Sequence, residues 1–87
     1  MSIAAQVKQL LAGICAISPA QIMDDARLIE YGLDSLRSME LIVEIEEHFA
    51  IELPDQLIVR VRTVADLIHL IEQQRSEHGD ATIQNVG

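Results

Sequence analysis

The sequence predicts an all-α protein: a small four-helix bundle of three main helices and one short helix, with a long loop between the first two. In three segments, apolar residues recur every three or four positions, which is the spacing of helices that bury one face. No segment alternates apolar and polar residues beside a turn signal, apart from an ambiguous run at residues 58–61. The 87 residues are 49% hydrophobic and contain Tyr31 and Phe49 as their only aromatic residues, so we expect one aliphatic core.

The first helix is predicted from about Ser2 to Ala16. Ser2 is a suitable N-cap, because its hydroxyl can accept a hydrogen bond from an N–H group of the first turn. Cys15 lies beside the apolar stripe, which predicts a buried, unreactive thiol, and a single cysteine cannot form an internal disulfide. The stripe consists of Ile3, Val7, Leu10, Leu11 and Ile14.

A long connection follows at residues 17–34. Ser18 and Pro19 can begin a short helical turn, with serine as the cap and proline at the first helical position. The adjacent acids Asp24 and Asp25 are interpreted as solvated loop residues rather than metal ligands, because no further ligand spacing follows them. Three apolar residues of the loop are predicted to enter the core: Ile22, Leu28 and Ile29.

The second helix is predicted from about Ser35 to Phe49, with Asp34 as its N-cap. Four glutamates lie on it, and Arg37 is its only Lys or Arg. Its apolar residues crowd more than one face, which favours a central helix in contact with several others. These residues are Met39, Leu41, Ile42, Val43, Ile45 and Phe49.

A break at residues 50–54 ends the second helix. Leu53 is expected to be extended because it precedes a proline. Asp55 can then cap a short helix that runs to about Val61, and the β-branched residues of this segment make it a weak helix.

The last helix is predicted from a capping box to about Gln74. Thr63 and Asp66 form the box, with aspartate in the place of the usual glutamate. Residues 76–87 are polar and without periodicity, so the sequence divides into a domain at residues 1–75 and a disordered tail at 76–87. The buried stripe of the last helix consists of Val64, Leu67, Ile68 and Ile71.

The charge pattern limits the partners. A formal net charge of −8 repels nucleic acids and anionic membranes and attracts basic protein surfaces. No apolar run approaches the roughly 20 residues of a membrane span, and the N-terminus lacks the apolar region of a signal peptide. We therefore expect a monomeric cytoplasmic protein without metal ligands.

Ser35 is the candidate functional residue, and catalysis is the less favoured interpretation. A serine nucleophile needs a base within hydrogen-bonding reach, and the Gly-x-Ser-x-Gly elbow is absent. His48 lies 13 residues further on the same helix, which at about 1.5 Å per residue is roughly 20 Å away. His69 and His78 have no evident carboxylate to orient them. No catalytic residue is therefore assigned.

Covalent attachment of an anionic group suits Ser35 better. The first turn of a helix offers unpaired N–H groups and the positive end of the helix dipole, which favour a phosphodiester. Gly32 permits a tight backbone approach just before the helix. In the alternative interpretation, Asp34 and Ser35 do no more than cap the helix. Local hydrogen bonding and the helix dipole leave both interpretations open.

The flanking residues resemble the attachment motif of carrier proteins, the acyl, aryl and peptidyl carriers. The resemblance extends over most of residues 3–74 and includes the first apolar stripe, the long loop, the acidic second helix and the Leu53-Pro54 break. It implies that Ser35 receives 4′-phosphopantetheine from coenzyme A through a phosphopantetheinyl transferase, and that Asp34 belongs to the motif. The motif reads Leu28-Ile29-Glu30-Tyr31-Gly32-Leu33-Asp34-Ser35-Leu36.

The same resemblance implies a non-catalytic carrier that holds acyl or aminoacyl intermediates as thioesters, and we expect it to be freestanding. Its partners would be an adenylating or loading enzyme and the acyl- or aminoacyl-processing enzymes of a nonribosomal peptide, polyketide or fatty-acid type pathway. Tyr31 and Arg37 are more typical of aryl and aminoacyl carriers, whereas the strongly acidic net charge is more typical of fatty-acid and polyketide carriers. The residues matching the partner-binding face are Leu36, Arg37, Met39, Glu40, Glu46 and Glu47.

Two other functions remain as alternatives. The acidic second helix can serve as a protein-interaction module without any prosthetic group. A small serine hydrolase that uses Ser35 is the weaker alternative, for the reasons given above.

Overall fold

The computed structural model describes the backbone of residues 2–86 and the side chains of residues 2–75. Within that part it is all-helical, which confirms the predicted fold class. Two short 3-10 helices, Pro19–Gln21 and Leu28–Tyr31, lie in the long connection. The four α-helices are α1 (Ile3–Cys15), α2 (Ser35–Phe49), α3 (Asp55–Ile58) and α4 (Val64–Val86).

The core lies where α1 packs against α2 and α4. Aliphatic side chains from all three helices are completely shielded from solvent there, as the apolar stripes predict. Burial of each such side chain contributes about 1.5–3 kcal/mol, so this small set accounts for much of the packing energy. The completely buried residues are Val7, Leu11, Ile45, Val64 and Ile71.

The predicted N-caps of the three long helices are confirmed. The Ser2 hydroxyl accepts a hydrogen bond from Ala5 N–H at 3.1 Å, and Asp34 accepts from Arg37 N–H at 2.8 Å. At the start of α4, the Thr63 hydroxyl accepts from Asp66 N–H at 3.1 Å, while the Asp66 carboxylate accepts from Thr63 N–H at 3.2 Å. Local capping chemistry therefore sets where each of these three helices begins.

The C-terminal ends of α1 and α2 are less regular. Ala16 and Ala50 both adopt the left-handed conformation, with φ of 59° and 55°. In each case the backbone N–H bonds to a carbonyl of the last helical turn, Ala12 or Glu46. Glycine is the residue that adopts this conformation without strain, so both ends carry a conformational cost.

Three of the predicted core residues are on the surface, which corrects the sequence-based assignment. Ile29 is 74% exposed, because the 3-10 turn that directs Leu28 inward points its neighbour outward. Met39 and Val43 are 65% and 51% exposed. The buried residues of α2 are Leu41, Ile45 and Phe49, so this helix buries one face and leaves an apolar stripe in solvent.

Two helix boundaries also differ from the prediction. Pro54, rather than Asp55, is the N-cap of α3, and no side chain caps this helix, which ends at Ile58. The backbone of α4 continues past Gln74 to Val86. The predicted end at Gln74 was early because it relied on the buried stripe, whose last member is Ile71. The side chains of residues 76–87 lie outside the described part, so the division into domain and tail stays a prediction.

Backbone pairing fastens the long loop to the start of α4. Arg27 and Thr63 form an isolated antiparallel bridge. Beside it, Leu28 N–H bonds to the Arg62 carbonyl at 2.9 Å, and Val64 N–H bonds to the Ala26 carbonyl at 3.1 Å. The loop therefore has a fixed position just before α2. In the part of the chain that the structure describes, every helix is too short or too polar to cross a membrane.

Candidate functional site

Ser35 is the first residue of α2, and its side chain is exposed. The preceding Gly32 has a positive φ of 79° and ends the 3-10 helix, with its N–H bonded to the Ile29 carbonyl at 3.1 Å. Leu33 is buried and anchors the chain between this turn and the helix. A side chain at Gly32 would be strained by the backbone conformation, so glycine favours the turn that presents Ser35.

The first turn of α2 keeps two N–H groups available. Asp34 occupies Arg37 N–H with its carboxylate and Ser38 N–H with its carbonyl, at 2.8 and 2.9 Å. Among the described residues, Ser35 N–H and Leu36 N–H have no hydrogen-bond acceptor. Two free donors and the positive end of the helix dipole fit a phosphodiester on the Ser35 oxygen.

No activating base stands beside Ser35 in the described residues. His48 lies at the opposite end of α2, where its Nε2 is 2.8 Å from Gln6 Oε1 and its ring packs edge-on against Phe49. His69 lines a separate surface groove beside Asp66. The side chain of His78 lies outside the described part. The site therefore lacks the base–nucleophile geometry of a serine hydrolase.

A shallow acidic groove runs along the exposed side of α2. Leu36, Met39, Glu40 and Glu47, four of the six residues predicted to bind partners, line it. Apolar centres flanked by carboxylates suit a partner that presents basic and apolar side chains. The groove has two further members: Glu44, one of the four glutamates noted on this helix, and Val43, which the sequence did not assign to the partner-binding face. The seven-residue spacing from Leu36 to Val43 places both side chains on the same face of the helix. The same spacing is also typical of a buried stripe, so it does not distinguish a docking residue from a core residue.

The other two predicted partner residues lie elsewhere. Glu46 is partly buried, and its carboxylate accepts a hydrogen bond from Leu53 N–H at 2.9 Å, which holds the chain that leaves α2. Arg37 does not line the acidic groove.

Burial raises the pKa of the Cys15 thiol, and the positive charge of Arg37 opposes this shift. Cys15 is buried as predicted.

An apolar cleft opens on another side of α2, between this helix, the loop and α3. Its volume is about 170 Å³. An apolar cavity of about 150 Å³ is large enough to hold benzene, so the cleft can take a short hydrocarbon chain. Ser38, one turn after Ser35, is its single polar residue. The apolar lining consists of Leu28, Leu33, Leu41, Ile42, Leu53, Ile58, Val61 and Leu67.

Comparison with known proteins shows the family of this chain. The family model described as "Phosphopantetheine attachment site" matches residues 5–71. An acyl carrier protein of Solidesulfovibrio magneticus is 33% identical over 78 residues, which is 88% of this chain and all of that protein. The non-reducing polyketide synthase pkiA of Emericella nidulans is 36% identical over 72 residues, which is 83% of this chain but only 3% of the synthase.

Solved structures show the same fold. The mupirocin didomain acyl carrier protein superposes with a TM-score of 0.74 at 29% identity, over 84% of this chain and 40% of that one. The acyl carrier protein of Thermotoga maritima superposes with a TM-score of 0.65 at 25% identity, over 83% of this chain and 93% of the other. The chain is thus similar in length to the separate carrier proteins and much shorter than the synthase.

Proposed function

This chain belongs to the phosphopantetheine-dependent carrier proteins, and we propose that it holds acyl cargo on an arm attached to Ser35. Proteins of this family are carriers rather than catalysts, and they bear a covalent 4′-phosphopantetheine. When bound, this group supplies the terminal thiol on which cargo is held as a thioester. The residues of the chain position the arm and present it to partner enzymes.

One observation carries the assignment to Ser35. Its hydroxyl is exposed at the first position of α2, beside two N–H donors that Asp34 leaves free. These donors and the helix dipole stabilise the negative charge of a phosphodiester on that oxygen. Gly32 supports this arrangement by turning the backbone sharply just before the helix.

The acidic groove supports docking of basic partners, among them the phosphopantetheinyl transferase and the loading and processing enzymes. It begins at Leu36, the residue directly after Ser35, and extends along α2 to Glu47. A partner that covers the groove therefore has the attachment residue at one end of its interface. Complementary charge speeds such encounters and selects partners.

We further propose that the cargo is an acyl group of a polyketide or fatty-acid type pathway. The apolar cleft supports this assignment, because it shelters a hydrocarbon chain better than a charged aminoacyl group. Tyr31 and Arg37 keep a nonribosomal peptide pathway as the alternative. A cytoplasmic location and a monomeric state stay predictions.

Attachment is tested by intact mass. The chain is incubated with a broad-specificity phosphopantetheinyl transferase and coenzyme A, beside the variants Ser35→Ala and Ser38→Ala. We expect the mass of one arm on the wild type and on Ser38→Ala, and none on Ser35→Ala. An unchanged wild-type mass, or an arm that survives in Ser35→Ala, would refute the proposal. An interaction module without a prosthetic group predicts the first of these results.

The cargo assignment is tested by thermal unfolding of loaded protein. An octanoyl arm that enters the cleft should raise Tm above that of the bare arm, since each buried methylene contributes about 0.8 kcal/mol. Ile58→Phe, which fills the cleft, should abolish this rise, whereas Val43→Phe on the exposed side of α2 should keep it. An equal rise in both variants would argue against the cleft as the cargo site.

A further inference from the structure

A second groove beside the attachment site is lined by two arginines, Arg27 and Arg62, and both are exposed. Among the described residues, no carboxylate lies within 4 Å of either guanidinium, and the recorded ion pair joins Lys8 to Asp24. Glu30 accepts a hydrogen bond from the backbone N–H of Arg27, and Asp66 accepts from the backbone N–H groups of Arg62 and Thr63, so these acids bind the backbone rather than the guanidinium groups. In a chain with a net charge of −8, two guanidinium groups without an ion pair on one groove offer a site for an anionic ligand.

The backbone fixes the position of both arginines. The bridge between Arg27 and Thr63, with the hydrogen bond from Leu28 N–H to the Arg62 carbonyl, holds the two segments side by side. Arg27 belongs to the loop that leads to the attachment serine, and Arg62 directly precedes α4. Their separation along the chain is large, but the Arg27–Thr63 bridge and the hydrogen bond from Leu28 N–H to the Arg62 carbonyl place the two segments beside each other.

The arginine groove adjoins the apolar cleft. The two share Leu28, Leu33, Ser38 and Val61 as lining residues. Ser38 lies one turn after Ser35, so a group tethered to Ser35 that enters the cleft lies next to the arginine groove. Hydrogen bonds between a guanidinium and a carboxylate are stronger than those between neutral groups.

We propose that the groove of Arg27 and Arg62 holds the carboxylate at the free end of an acyl cargo, and a malonyl group is the cargo chosen for the test. The proposal rests on the proposed function, because it requires an arm on Ser35. Guanidinium groups bind carboxylates in a bidentate geometry, and tethering gives the cargo an effective concentration in the millimolar range or above. The acidic groove on α2 repels the same carboxylate, so charge directs a carboxylated cargo to the arginine side.

The test compares three loaded states of the full chain: the bare arm, the arm with malonyl, and the arm with acetoacetyl. Malonyl ends in a carboxylate where acetoacetyl ends in a methyl ketone, so comparison of the two isolates the effect of the negative charge. Intact mass first verifies loading, and a failure to load contradicts the proposed function rather than this inference. The readout is the NMR shift of the Arg27 and Arg62 Nε–H groups and of Leu28 N–H.

We expect the malonyl arm to shift these signals relative to the protein without an arm. The acetoacetyl arm and the bare arm should leave them close to their positions in that protein. The shift of Leu28 N–H should disappear in the double variant Arg27→Gln, Arg62→Gln and persist in Arg60→Gln, which changes an arginine outside this groove. Equal shifts with malonyl and acetoacetyl would overturn the proposal. So would equal shifts with the bare arm, which would assign the arginines to its phosphodiester.

Discussion

Replacement of Asp34 separates its observed role as a helix cap from its proposed role in arm attachment. In Asp34→Ala, α2 loses the acceptor that holds Arg37 N–H at 2.8 Å. Loss of an N-cap costs about 1 kcal/mol, and loss of a negative charge at a helix N-terminus costs about 0.3–1 kcal/mol more. The sum is about 1–2 kcal/mol, and each kcal/mol lowers the Tm of a domain of this size by roughly 4–8 °C.

Asp34→Asn is the matched control. Asparagine caps helices about as well as aspartate, so this variant should lose only the smaller charge contribution. Ser2→Ala provides a second comparison, because it removes a neutral cap from α1 at 3.1 Å and leaves the attachment site intact. The expected order of stability is wild type, then Asp34→Asn, then Asp34→Ala.

The assay is urea and thermal unfolding of the protein without its arm, followed by the rate of arm transfer to the same variants while they are folded. If Asp34→Ala unfolds at the same urea concentration as the wild type, the capping argument is wrong. If Asp34→Asn is as unstable as Asp34→Ala, charge rather than hydrogen-bond geometry is responsible. We expect Asp34→Asn to accept the arm more slowly than the wild type, and an unchanged rate would limit Asp34 to capping.

Three further predictions concern stability. Ala50→Gly should raise the free energy of unfolding by up to about 1 kcal/mol, because glycine adopts the left-handed conformation without strain; a lower urea midpoint would contradict this. Glu46→Ala should lower the free energy of unfolding by about 1–3 kcal/mol, because it leaves Leu53 N–H without its partly buried acceptor. The control Glu47→Ala, in the acidic groove, should change the free energy of unfolding by less than about 0.5 kcal/mol. Hydrogen bonds from two backbone N–H groups hold the pKa of Asp66 below its ordinary value of 3.8. A lowered pKa in the folded state adds stability at pH values above 3.8, and this stability is lost as pH falls through the folded-state pKa. The difference in the free energy of unfolding between wild type and Asp66→Ala should therefore shrink in acid. A difference that does not depend on pH would refute this cause.

The helix starts were predictable because their causes are local. Asp34, Ser2 and the pair of Thr63 and Asp66 act on N–H groups within three residues of themselves. The stripes of α1 and α4 were predictable for the same reason, since helical spacing places their members on one side. The position of Ser35 at the first turn of α2 follows from these local signals alone.

The helix ends and the faces of α2 were not predictable in this way. Nothing local marks Ala16 or Ala50 as left-handed, because alanine adopts that conformation only when the surrounding packing holds it there. Met39 and Val43 are apolar at helical spacing, and the sequence cannot tell a core stripe from a docking stripe. The choice depends on which side of α2 the other helices cover.

The sequence by itself determined the helical fold class and the caps of the three long helices, and the motif around Ser35 indicated the carrier family by resemblance. The fold class and these caps follow from periodicity and from short-range hydrogen bonding, which involve neighbouring residues. Only the tertiary structure decided that Glu46 supports the backbone, that an apolar cleft adjoins Ser38, and that Arg27 and Arg62 share one groove. These features join residues far apart in the chain, and packing of the helices and loop is what brings them together.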